Sequence, residues 1–215
     1  SVKRIPLLPF LLLVTALACK ASSVTETFTP SGGFLYQETF SDSASGWGEK
    51  TLEAGAAGYA DGAYRIIVNL PDSHLWSRPG LSFGNVRVEA AVFPAAGPPD
   101  SRMGVICRLV DDHNFYFFAI SADGFYGVGK MKNGQVSILT GSGAMLPTAT
   151  VHTGNVPNQV RGDCVGSTLT LYINDQQVDS AADGDFSTGD VGLFAGTFAQ
   201  PGAEVYFDNF FVLKP

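Results

Sequence analysis

The sequence predicts an all-β domain, a two-sheet antiparallel sandwich of the jelly-roll type. Three observations lead there. Short strand-like segments recur from Leu35 to Leu213, turn-forming pairs separate them, and no segment sustains an apolar period of 3.6. The composition agrees: 215 residues with 25 Gly, 12% aromatic residues and only 15% charged residues suit many strands joined by tight turns. That length accommodates one domain with a substantial core plus a short leader.

Taken in order, the expected strands are Leu35–Phe40, Ala63–Leu70, Val86–Phe93, Met103–Val110, Phe115–Ser121, Gly124–Met131, Val136–Thr140, Gln159–Cys164, Thr168–Ile173, Asp190–Ala195 and Glu204–Leu213. Asp61-Gly62, Asp123-Gly124, Asn133-Gly134, Gly166-Ser167 and Asn174-Asp175 stand between them and supply the positive φ that hairpin turns require. About ten such strands without helices need two stacked sheets to bury their apolar faces. No internal repeat of fixed period is present.

Ahead of the domain (34–215), residues 1–19 read as a signal peptide. Lys3 and Arg4 form a positive start, Ile5–Ala18 an apolar core too short to span a bilayer comfortably, and small Ala18 precedes Cys19. Ala16-Leu17-Ala18-Cys19 is close to a lipobox, with Ala16 where Leu is usual, which makes Cys19 the expected lipidation site. The other reading is an ordinary cleaved leader with an incidental Cys19. Residues 20–33, rich in Ser, Thr, Pro and Gly, form the expected flexible tether. The predicted address is the extracytoplasmic face of the cell envelope, with membrane contact through the lipid anchor alone. The net charge of −7 and the lack of a Lys/Arg cluster exclude nucleic acid as a partner.

Cys107 and Cys164, an even pair in an exported chain, are disulfide candidates; the alternative is two buried thiols. Alternation places Gly104, Ile106, Arg108 and Val110 on one face of their strand and Met103, Val105, Cys107 and Leu109 on the other. Tyr116 and then Tyr126 and Lys130 follow in the next two strands. If Arg108, Tyr116, Tyr126 and Lys130 share an open face, flat rings and polar tips make a sugar-binding platform. Otherwise the rings fill the core and the cations pair with acids such as Asp111 or Asp112. Trp76, within SHLWSRPG, is either a rim of that platform or a cap on the sheet end.

The order FSDSASGW (Phe40–Trp47), GAYRI (Gly62–Ile66), GVICR (Gly104–Arg108), NFYFFAIS followed by Asp123-Gly124, LTLYIND (Leu169–Asp175), GDVGLFA (Gly189–Ala195) and FDNFFV (Phe207–Val212) resembles concanavalin A-like lectin/glucanase-fold domains of bacterial lipoproteins. It is also similar to the 3-keto-disaccharide hydrolase type. The resemblance covers nearly all of Phe34–Pro215 and implies a sandwich whose concave face, when it holds anything, holds sugar. Sandwiches of this family sometimes carry a structural calcium where the terminal strands meet, to which Asp42 and Asp208 could contribute carboxylates; the alternative is that Asp208 simply hydrogen-bonds a neighbouring turn, and no cofactor is expected.

Catalytic signals are sparse. Glucanases of this fold carry Glu-x-Asp-x-x-Glu, and the nearest stretch, Val88–Val92, holds only Glu89, so the paired carboxylates of glycoside hydrolysis are missing. His74, His113 and His152 lack metal-ligand spacing. Asp183–Asp190 departs from the EF-hand pattern, and no Gly-x-Ser-x-Gly or phosphate-cradling loop occurs. The expected function is a surface-tethered, carbohydrate-binding module without chemistry. The alternatives are a 3-keto-disaccharide-type hydrolase using Glu89, Asp111 or Asp112 beside Arg108, and a structural or protein-interaction module of the envelope.

Overall fold

The computed structural model describes residues 33–215, which form one compact unit. The expected signal peptide, Cys19 and nearly all of the tether lie outside the described residues. Sixteen strands follow: β1 (Phe34–Glu38), β2 (Lys50–Leu52), β3 (Gly55–Ala60), β4 (Ala63–Val68), β5 (His74–Ser77), β6 (Val86–Ala96), β7 (Arg102–Asp111), β8 (Asn114–Ser121), β9 (Phe125–Lys132), β10 (Gln135–Ile138), β11 (Leu146–Pro147), β12 (Asn158–Val165), β13 (Thr168–Ile173), β14 (Gln176–Ala182), β15 (Asp190–Gly196) and β16 (Ala203–Leu213).

They form two antiparallel sheets. The nine-stranded sheet runs β14-β13-β12-β6-β16-β4-β3-β2, with β1 also on β16; the seven-stranded sheet runs β10-β9-β8-β7-β15-β5, with β11 on β9. The turn chemistry acts as expected at three hairpins. Asp61-Gly62, Asn133-Gly134 and Asn174-Asp175 each place both residues at positive φ, the backbone of a twist-matched two-residue turn.

Strands β2, β3, β5, β11 and β14 go beyond the expected set. Their residues explain why. β3 reads GAAGYA, too small to display alternation, and β14 reads QQVDSAA, a mostly exposed edge with no apolar face to betray it.

The core lies between the sheets. Val86, Val88, Ala90 and Val92 of β6 face Met103, Val105, Tyr116, Phe118 and Val128 of the other sheet, all nearly inaccessible. Phe118 packs flat onto β12, where a Cβ on Gly162 would overlap its ring. Cys107 and Cys164, both fully buried, are joined by a disulfide that ties β7 to β12 across the sandwich. At one end Phe40, Trp47, Tyr64 and Phe210 pack together through edge-to-face and tilted ring contacts, and the Trp47 indole N–H donates to the Tyr36 hydroxyl at 2.9 Å. The FSDSASGW stretch is thus an aromatic plug.

Candidate functional site

Register decides which residues face outward from the seven-stranded sheet. Cys107 pairs with Tyr116, Tyr116 with Lys130, and Ile120 with Tyr126. Cys107 points inward to its disulfide, so Tyr116, Lys130 and Tyr126 point inward too. This corrects the expected platform. Tyr116 is fully buried, and its hydroxyl donates to Asp183 at 2.6 Å while accepting the Phe186 N–H. Burial first, and Asp183 second, push its pKa up to about 12. Tyr126 bonds Asp179 at 3.1 Å, and Lys130 pairs with Asp183 and Asp185, which together raise its pKa. These side chains fasten β8 and β9 to β14 and the 183–186 loop instead of offering a surface.

Arg108 departs from the platform for a different reason. A bulge between Cys107 and Asp111 breaks the alternation, and Arg108 adopts φ 50°. Its guanidinium, 2% exposed, donates to the carbonyls of Gly166 at 2.7 Å and Phe186 at 2.9 Å, and to Asn85 Oδ1 at 3.3 Å. It clamps loops at the end of the sandwich.

The outward face belongs to the other parity. Ile106, Leu109, Phe115, Phe117, Met131 and Phe194 form a second apolar cluster there, with Trp76, Ile138 and Met145 packed against it. Phe117 lies across Gly129, where a Cβ would collide with its ring, so the glycine permits a flat aromatic floor. Phe117 and Phe194 meet with ring centroids 5.4 Å apart, as do Trp76 and Phe115. A narrow apolar cleft of only about 20 Å³ opens between them, walled by His74, Trp76, Arg102, Val136 and Gly196.

Trp76 is the one residue of the expected ligand set on this face. It stands on the edge strand β5, whose outward positions are His74 and Trp76, with Arg78 next in step. Its other side borders a second, polar cleft of about 290 Å³ lined by Glu49, Lys50, Arg78 and Asp112. The indole N–H donates to Asp112 at 3.3 Å, Arg78 pairs with the same carboxylate at 3.7 Å, and Lys50 Nζ lies 5.4 Å from the ring centroid. An aromatic face between an apolar and a charged cleft can hold a sugar ring while polar groups fix its hydroxyls. His74, Lys50, Arg78, Arg102 and the three Phe rings were missed by the sequence reading. The alternating His74-x-Trp76-x-Arg78 was the available signal.

The carboxyls of the expected hydrolase do not meet. Glu89 stands on β6 in the nine-stranded sheet, pairing with Phe211 and Arg161, whereas Asp111 and Asp112 close the β7–β8 turn of the other sheet. Asp111 accepts bonds from His113 N–H and Asn114, which lower its pKa. Glu89, 2% exposed, is pushed up to about 7 by burial, against the pull of its bond from Gln159. Its folded pKa exceeds its unfolded one, so it favours folding only while protonated. The Glu89 contribution to stability should be flat below about pH 4.5, fall as pH rises toward 7 and level off, losing roughly 3 kcal/mol at most. Urea unfolding of Glu89→Gln at three pH values should remove that slope.

For calcium, Asp42 caps its own turn through the Ala44 N–H at 2.9 Å, and Asp208 accepts the Asn209 N–H at 2.6 Å. Each carboxylate serves its local backbone. Among the described residues no group of three or more His, Cys, Asp or Glu side chains is arranged to hold a metal ion.

The two-sheet order, the inter-sheet core and the face just described define a concanavalin-like jelly roll. Among solved structures, the chain is similar to carbohydrate-binding module CBM66 from Bacillus subtilis (TM-score 0.63, 19% identity, 79% of this chain and 96% of the module). It is also similar to a Bacillus licheniformis β-glucanase (TM-score 0.62, 12% identity, 86% and 100%). A third is a Bacteroides ovatus GH16 protein of a mixed-linkage glucan locus, in complex with a glucan product (TM-score 0.59, 9% identity, 83% and 100%). No protein-family model matches the chain, and comparison with curated proteins finds no match. At these identities the likeness is one of fold.

Proposed function

We propose that the outward face of the seven-stranded sheet, at its β5 edge, binds glycan without chemistry of its own. The observation that carries this reading is Trp76, standing between an apolar cleft and a charged one. The likeness to a carbohydrate-binding module, CBM66, and to the Bacteroides protein in complex with a glucan product supports it. With the expected leader and lipid anchor, the module would be held at the cell surface by its tether.

The test is retention of the full chain on a panel of immobilised polysaccharides. Wild type should bind at least one, and Trp76→Ala should weaken that binding roughly tenfold or more, the loss of a stacked aromatic contact. Retention by none of the panel would sink the reading and leave a structural or protein-interaction module. The hydrolase reading retains one feature: Asp112 and Glu49 line the same polar cleft. Reducing sugar released by wild type and lost in Asp112→Asn would promote it.

A further inference from the structure

The polar cleft beside Trp76 does not end at Lys50. Glu49 and Lys50 also wall a further polar cleft, of about 220 Å³, together with Thr51, Ala56, Gly58 and Arg65. Strand alternation puts it on the outward side of the nine-stranded sheet: Ala57 and Tyr64 face the core, so Ala56, Gly58 and Arg65 face away from it. Gly58 pairs with Arg65 of β4, and Ala56 with Thr51 of β2. The residues that join the two clefts are adjacent in the chain. Lys50 Nζ lies 5.4 Å from the Trp76 ring centroid. Glu49 reaches the other way: its Oε1 accepts the Tyr59 N–H at 3.3 Å and lies 3.1 Å from where a Cβ on Gly58 would stand. A side chain at position 58 would crowd that carboxylate, and the small outward residues of β3 leave the trough its room.

Size and charge decide what such a groove accepts. The clefts measure about 290 and 220 Å³. Neither reaches the roughly 300 Å³ at which pockets begin to enclose a small-molecule ligand, and the two together pass it. In the first cleft Glu49 and Asp112 stand against Lys50 and Arg78, and Arg78 is already paired with Asp112. In the second, Arg65 is paired with Glu204 at 3.5 Å. Acids and cations balance, so the groove has no net attraction for an ion. It sets acceptors beside donors instead, which suits hydroxyls that give and take hydrogen bonds at once.

We infer that the two clefts are one binding groove with two subsites, and that its ligand is a neutral oligosaccharide rather than a single sugar. One ring lies against Trp76, the chain crosses at Glu49 and Lys50, and a following ring lies in the trough floored by Ala56 and Gly58. There Arg65 donates to its hydroxyls. The groove runs from the β5 edge of one sheet over β2 onto the outward face of the other. This inference rests on the glycan-binding reading of Trp76.

The experiment is affinity electrophoresis of the full chain in mixed-linkage β-glucan, galactomannan and arabinoxylan, with polygalacturonate as the acidic contrast. Retention is then competed with free sugars of increasing length: glucose, cellobiose and cellotetraose, and the matching mannose and xylose series. The expected result is retention by a neutral member, with its tetrasaccharide competing roughly tenfold or more better than its monosaccharide. That ratio is the worth of one or two further hydrogen bonds. Ala56→Phe, which fills the trough, and Arg65→Gln should each lower the ratio. Thermal unfolding of each variant separates lost binding from lost fold, and Arg65, its side chain 40% exposed, tests the subsite even where the larger residue at 56 disturbs its strand. Equal competition by monosaccharide and tetrasaccharide, with retention lost in Trp76→Ala, overturns the two-subsite inference and leaves glycan binding intact. A length dependence unchanged in both variants overturns it as well, as does stronger retention by polygalacturonate than by every neutral member. Retention by none of the four removes both readings.

Discussion

Replacing Cys107 and Cys164 together with alanine should lower the unfolding free energy by about 4 kcal/mol, the largest effect expected in this chain. The cross-link closes a 57-residue separation and joins the two sheets rather than neighbours within one. Cutting it releases the denatured chain to explore many more conformations, whereas the native packing around two small buried sulfurs changes little. The measurement is urea unfolding of wild type and the double variant, with the single Cys107→Ala as control. The double variant should show a lower midpoint and, as its denatured state expands, a steeper slope. A difference below about 1 kcal/mol would show that sheet-to-sheet packing alone holds the sandwich.

Arg108→Met should cost about 3 kcal/mol or more. The stem of methionine fills the same channel, but the carbonyls of Gly166 and Phe186 and the Asn85 side chain lose their donor in a place water reaches poorly. Arg108→Lys should fall between, because one ammonium cannot span the two carbonyls and the amide with a guanidinium's planar geometry. The informative contrast is with binding. At a temperature where both variants remain folded, glycan retention should be unchanged, since Arg108 lies beneath loops and not on the outward face. Retention lost with stability intact would return Arg108 to the binding surface.

The same contrast shows what was legible before any coordinates. The hairpin pairs Asp61-Gly62, Asn133-Gly134 and Asn174-Asp175 announced their turns because only a few residue types accept positive φ, and the alternating runs of β4, β6 and β13 announced their strands. The facing of β7 and β8 was not announced. Both sides of GVICRLV and NFYFFAIS are buried, so no polar stripe distinguishes inside from outside. The clue that existed lay in combination. Pairing Asp111 with Asn114 across the turn sets Tyr116 on the side of Cys107, and a bridge from Cys107 to the other sheet makes that side the inner one. The bulge at Arg108 left no such trace.

The sequence by itself determined the class: many short strands, their turn types, the antiparallel sandwich and the residues able to form its core. Those follow from local preferences, which each segment carries alone. Only the tertiary structure decided which face is open and which side chains meet on it. Trp76, Arg102 and Lys50 come from three strands in two sheets and are neighbours solely through the register of pairs far apart in the chain. A one-residue change of register or a single bulge reverses a strand's faces without altering its composition. For that reason Tyr116 became core and Phe117 became floor.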